Sequence, residues 1–315
     1  MQEKSDKSEI SLPQLLEELK NESKPLNARN MAKLSALDKN AAKPFLEAFT
    51  KMSTERRMQF METLSEMADD DAEMDLTLIF AIGMRDPDDD VRARSVAALW
   101  ENDSRDLMVT MLDMVKNDSS EEVRAAPASN LRRFAYMAED GRLLLKDKHR
   151  IADVLLESIR NFNEPVTVRR RALESLGPLE IPERDQEIRA ALNSGEPKMK
   201  ASAIFAMGIT FDPKWLPDIL KEISNPDAEV RYEAATACGE LEDPSAILAL
   251  LPLVKDVDTR TQLAAITSLG QIGGSQAKRM LEQLMLSDDD TVRQTAEEAL
   301  ALAEGSEDPM KFRGL

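Results

Sequence analysis

Over most of the chain the apolar positions fall into helical stripes cut by short polar breaks, and the stripes come in pairs. Leu216, Ile219, Leu220 and Ile223 stand at i, i+3, i+4 and i+7, Asn225-Pro226-Asp227 interrupts the chain, and Val230, Ala234, Ala237 and Leu241 open a second stripe. This pattern predicts a helix, a turn and a second helix, with no run of alternating positions that would read as a strand.

The pair recurs with a fixed period. Val168-Arg169, Met199-Lys200, Val230-Arg231, Thr261-Gln262 and Val292-Arg293 follow one another at 31 residues, and Gly177, Gly208, Gly239 and Gly270 keep the same register, as do Ala172, Ala203, Ala234, Ala265 and Ala296. Upstream, Val91-Arg92 and Val123-Arg124 continue it at 32, and the step from Arg124 to Arg169 is 45, so one connection carries about 14 extra residues. The residue types have physical reasons. Small Ala and Gly let the second helix approach its neighbours, Asp or Asn ahead of it supplies an N-cap, and Pro stops the first helix. One hairpin cannot bury its own stripe, whereas a stack of them builds a continuous core in which each repeat touches its neighbours.

Before Met84 the Val-Arg marker fades while helical signals persist. Ser11 with Gln14 resembles a capping box ahead of Leu15, Leu16 and Leu19, residues 41–52 read as a helix, and Met58, Met61, Leu64 and Met67 form another stripe. The expected organisation is a tail and capping helix over 1–24, divergent helical repeats over 25–73, a regular array over 74–304 and a frayed tail over 305–315. Pro252 inside the apolar run 247–254, and Pro127 beyond the first turn after Val123-Arg124, should each remove a backbone hydrogen bond and kink a helix.

Composition narrows the partners. Aromatic residues are 4% of the 315, and the formal net charge is -18, which repels phosphate and anionic lipid, so nucleic acid is disfavoured. No stretch approaches the roughly 18 apolar residues that cross a bilayer, and the single Cys238 cannot make an internal disulfide; a cytoplasmic monomer without cofactor is expected. The acidity is uneven: residues 141–172 hold Arg142, Lys146, Lys148, Arg150, Arg160, Arg169, Arg170 and Arg171 against four acids.

The runs EPVTVRRRALESLG from Glu164, PKMKASAIFAMG from Pro197 and DAEVRYEAATACGEL from Asp227 resemble HEAT repeats of the short, phycobilisome-lyase-like type, over about residues 74–303. The tetratricopeptide and ankyrin consensus residues are missing. The resemblance extends to bacterial HEAT-repeat proteins. It implies an all-α fold, a right-handed α-α superhelix or solenoid of HEAT-like hairpins, and a role no more specific than protein binding. Gln262 and Lys200 stand where the repeat has Arg, so any ladder of Arg paired with turn carboxylates is interrupted there.

Enzymes built on this architecture leave signatures that can be sought. The hydroxylase acting on deoxyhypusine holds two irons with several His-Glu pairs, and this chain has one histidine, His149. The DNA glycosylases of this kind use a basic, aromatic channel, at odds with two Trp, two Tyr and a strongly negative charge. A bilin-lyase-like enzyme remains an alternative that residue types do not dismiss. Asp69-Asp70-Asp71, Asp88-Asp89-Asp90 and Asp288-Asp289-Asp290 lack the Gly and Glu of a calcium loop; two precede the Val-Arg motif and read as helix caps. No catalytic, cofactor or metal residue is assigned. Cys238 reads as a buried inert thiol, and the Met-rich early region more as core filler than as an adaptable surface.

The expected function is therefore a non-catalytic scaffold or adaptor binding another protein or peptide on its concave face. Residues one, two and five places beyond the motif position are predicted to face outward along that side, which brings Phe205, Tyr232 and Leu263 into an apolar strip flanked by Arg170, Arg171 and Glu233. In the competing reading Phe205 tucks between helices. A secondary candidate, for nucleic acid or an acidic ligand, is the basic segment 132–171 with Arg132, Arg133, Arg142, Lys146, Lys148 and Arg150.

Overall fold

The computed structural model describes residues 10–71 and 73–307, and among these there are helices and turns but no strand. Positions 1–9 and 308–315, which include most of the expected C-terminal tail, lie outside the described residues. Residues 305–307 still belong to the last helix.

The chain divides into two compact units, one up to Phe134 and one from Ala135. The first contains α1 (Leu12–Leu19), α2 (Ala28–Met31), α3 (Lys39–Phe49), α4 (Thr54–Asp70), α5 (Thr77–Gly83), α6 (Asp89–Ala97) and α7 (Arg105–Asn117), and the boundary falls within α8 (Glu121–Glu139). Like packs on like here: α1 on α3 and α3 on α5 in one layer, α2 on α4 and α4 on α6 in the other. Phe45 and Phe49 of α3 stack on each other with ring centroids 5.6 Å apart and meet Phe60 of α4 at 5.9 and 6.1 Å, all three buried. Met31, Met52, Met61, Met84, Met108, Met111 and Met114 are buried as well, so the early methionines mostly fill this unit's core.

The second unit contains α9 (Leu145–Arg160), α10 (Val166–Leu176), α11 (Pro182–Leu192), α12 (Pro197–Gly208), α13 (Leu216–Glu222), α14 (Ala228–Glu240), α15 (Ile247–Leu250), α16 (Thr259–Ile272), α17 (Gly274–Leu284) and α18 (Asp290–Glu307). Each odd-numbered helix pairs with the next, and the second helices α10, α12, α14, α16 and α18 also pack on one another in succession. This is an all-α solenoid. The close layer is the one carrying the 31-residue glycines. A Cβ added at Gly270 would lie 2.6 Å from the Ala299 carbonyl oxygen and 2.8 Å from its Cα, so only hydrogen fits between α16 and α18.

The turns are built locally, by the residues the sequence pattern singled out. Asp88, Asp227, Asp258 and Asp289 accept amide hydrogen bonds at the starts of second helices, for example from Val91 N at 3.1 Å and Thr261 N at 2.9 Å. The acidic triplets that precede Val91 and Val292 thus act as caps. Asp212-Pro213 and Asp243-Pro244, 31 residues apart, open first helices in the same way, their carboxylates accepting from Lys214 N and Ser245 N. Phe211, Glu242 and Gly273 close second helices in the same register with φ of 55°, 50° and 66°.

Two sequence expectations are modified. Pro252 does not kink a helix: α15 ends at Leu250, and a 3-10 turn over Leu253–Lys255 follows, because Pro252 has no N–H to continue the ladder. The 14-residue excess between Arg124 and Arg169 is mostly helix rather than loop. It lengthens α8, which runs through Pro127, to 19 residues and α9 to 16, whereas α11 has 11 and α14 has 13.

Candidate functional site

Small residues bring the second helices of the second unit so close that long side chains at their surface reach across more than one repeat. Arg170 of α10 donates Nε to Ser202 Oγ on α12 at 2.9 Å and an Nη to Glu229 on α14. Ser202, buried, in turn donates to Glu174 Oε1 at 2.7 Å, and Arg171 holds the other oxygen of Glu174 at 2.7 Å. Three successive second helices are joined by one polar network.

Glu233, on α14, has its carboxyl pushed up to about 7. Burial is the main cause, and the charges of Glu174 and Glu229 add to it, while Arg170 and Arg260 pull the other way. Tyr232 beside it lies under the Arg260 guanidinium of α16, whose carbon sits 4.6 Å from the ring centroid.

The six predicted contact residues are thus on this layer, with unequal exposure. Arg171 is exposed; Arg170, Phe205, Tyr232, Glu233 and Leu263 are half-buried. The columns do not face outward as uniformly as the register predicts. Ala201, Ser202 and Glu174 are buried, because the adjoining second helix covers them at this close spacing. Glu229 and Arg260 were not foreseen. Both stand just ahead of the two-residue motif, and reading that column across the 31-residue register is the signal that would have found them.

The basic segment is largely balanced by acids. In the second unit Lys148 pairs with Glu139 at 2.7 Å, Arg160 with Glu187 at 2.7 Å, and Arg150 lies 3.7 Å from the buried Asp147. Lys146 and Arg142 are exposed. Arg132 and Arg133 belong to the first unit, both half-buried, and the Nε of Arg133 is buried without a hydrogen bond. Cys238 is fully buried on α14, and burial pushes its thiol up to about 12, out of reach of thiolate chemistry at neutral pH. His149 is exposed on α9. Among the described residues no helix is long and apolar enough to cross a membrane.

Comparison with known proteins agrees with this architecture. Residues 216–301 match the family model for HEAT repeats, and residues 29–132 match that of the vitellogenin TPR domain. No curated protein sequence matches. Among solved structures, Kap95p, in a complex with RanGDP, is similar at 13% identity and a TM-score of 0.51 over 93% of this chain, which spans 46% of that one. YibA of Escherichia coli is 15% identical with a TM-score of 0.47, over 88% of this chain and 98% of its own. Human deoxyhypusine hydroxylase is 14% identical with a TM-score of 0.33, over 72% and 96%. The second unit contains HEAT repeats.

Proposed function

We propose that the chain is a non-catalytic scaffold or adaptor that holds a protein or peptide partner against the second-helix layer of its second unit, on the concave side. HEAT repeats generally mediate protein–protein interaction, and Kap95p, a neighbour in fold, binds RanGDP. The observation that carries the reading is the half-buried strip of Phe205, Tyr232 and Leu263 set beside the Arg170–Ser202–Glu174 network and Glu233. Apolar side chains that keep part of their surface in water, ringed by charge, are the make-up of an interface centre with a polar rim.

The test is a pull-down from native cell extract at low and moderate salt with the parent and with the double variant Phe205→Ala, Tyr232→Ala. A contact patch predicts loss of the captured partner with melting nearly unchanged. Core residues predict destabilisation of about 3 kcal/mol or more. Capture of the same proteins by a normally melting variant overturns the assignment to this face.

A further inference from the structure

The first unit carries a cavity of about 690 Å³, within the roughly 300–1,000 Å³ range of ligand sites, where the ends of α4 and α6 meet the start of α5. Its floor is apolar, with Leu76, Phe80 and Leu99 all buried. One wall is Trp100, which is 55% exposed although most of the large apolar side chains around it are covered. An indole left open to water at the side of a cavity is a surface without its complement.

The charge around the cavity is of one sign. Asp69, Asp75, Glu101 and Asp103 line it, and no Lys, Arg or His does. Two helices end beside it, α4 just after Asp69 and α6 at Ala97, with their negative dipole ends next to the carboxylates, while the positive start of α5 at Thr77 is met by Asp75. Asp75 is held in place because its Oδ1 accepts from Thr77 N at 3.0 Å as α5 begins, and Asn102 Nδ2 ties the opposite wall to Thr77 Oγ1 at 3.0 Å.

We propose that this cavity receives the guanidinium or ammonium of an arginine or lysine carried by an extended basic segment of a partner protein. Aromatic wall and carboxylate rim together are the chemistry that such a group selects, through the face of an indole and through charge. A phosphate-bearing ligand would meet four carboxylates. A bare metal ion would be lost in this volume, and Asp75 has already committed one oxygen to the backbone. The space exceeds one side chain, leaving room for the flanking residues of a peptide. The chain's net charge of -18 steers basic partners toward it.

The molecule contains its own reporter. Of the two Trp, Trp215 is fully buried, so a change in indole emission on binding at this cavity reports Trp100. The full chain is titrated with a short peptide of alternating arginine and glycine, followed by fluorescence and by calorimetry. We expect a saturable change in emission that weakens with salt and disappears in Trp100→Phe. Asp69→Asn with Glu101→Gln, two exposed positions, should bind roughly tenfold more weakly at unchanged melting temperature. The Phe205→Ala, Tyr232→Ala variant should bind this peptide as the parent does, which separates the cavity from the second-helix face. Four results each overturn the proposal: no heat and no change in emission, unaltered affinity in the charge-removed variant, equal binding of a glutamate-glycine peptide, or equal affinity for free arginine amide, which would make this a small-cation site.

Discussion

Arg231 of α14 grips Asp256, in the turn of the following hairpin, with two parallel bonds, Nε to Oδ2 at 2.7 Å and Nη2 to Oδ1 at 2.8 Å. Its third nitrogen donates to the carbonyls of Asn225 and Pro226, at 2.9 and 3.1 Å, in its own turn. Arg92 repeats the arrangement with Asp118 and with the carbonyls of Asp86 and Pro87. One guanidinium therefore fastens two consecutive turns, which neither helix packing nor a lysine could do in the same geometry. At position 262 the glutamine reaches only the Val254 carbonyl, 2.9 Å away in its own hairpin, and the ladder lapses as the sequence implies.

Asp256→Asn should destabilise the chain by about 1.5–3 kcal/mol, the scale of a hydrogen bond to a charged group. Arg231 beside it holds the Asp256 carboxyl below the usual carboxylate range, against the opposing effect of burial. A lowered folded value means stability that is fully present above the unfolded value of about 3.9 and is lost as pH falls through the folded one. Thermal melts from pH 6 downward should therefore show the parent's advantage over Asp256→Asn shrinking in acid. A constant advantage would refute the pair's electrostatic character.

Gly270→Ala should lower stability by about 1–3 kcal/mol, because the new methyl would press on the Ala299 backbone of α18 instead of on a side chain that can turn away. Chemical denaturation measures it. A neutral substitution would show that α18 can retreat without loss.

Glu242→Gly should raise the melting temperature. Glu242 sits at φ 50°, where its register partner is Gly273, and relief of left-handed strain, about 1–2 kcal/mol, exceeds the added freedom of the unfolded chain, about 0.4–1 kcal/mol. A lower melting temperature would mean that the Glu242 side chain contributes more than the strain costs.

Glu233 predicts a pH dependence of the opposite sense to Asp256. Its folded value of about 7 lies above the unfolded 4.5, so the native state holds a proton that the unfolded state has released. Stability should be full below about pH 4.5, fall between there and pH 7, and level off above. Glu233→Gln should flatten that slope and melt higher than the parent at pH 8. Parallel pH profiles for parent and variant would sink the assignment.

The hairpins were legible because their signals are local and repeated. The motif valines Val91, Val123, Val168, Val230 and Val292 are all buried, and the caps ahead of Val91 and Val230 fall on the aspartates Asp88 and Asp227. The excess between Arg124 and Arg169 was legible as a length but not as a structure, since a period reports an insertion whether it forms loop or helix. At the candidate site the layer was legible and the partners were not. Arg170 and Glu229 are 59 residues apart, and nothing in either repeat alone shows that one reaches the other.

From the sequence by itself come the helices, their pairing, the 31-residue register and the residue types that close each turn, because all of these depend on neighbours within one repeat. Which positions in a register column stay in water is decided only in the folded array. Ser202 and Glu233 share a column, yet Ser202 is buried and Glu233 is half-buried and titrates near neutrality. The spacing of two adjacent helices depends on the side chains of both at once. The cavity beside Trp100 arises in the same way, from the ends of α4 and α6 and the start of α5 brought together, and no one of those segments carries it alone.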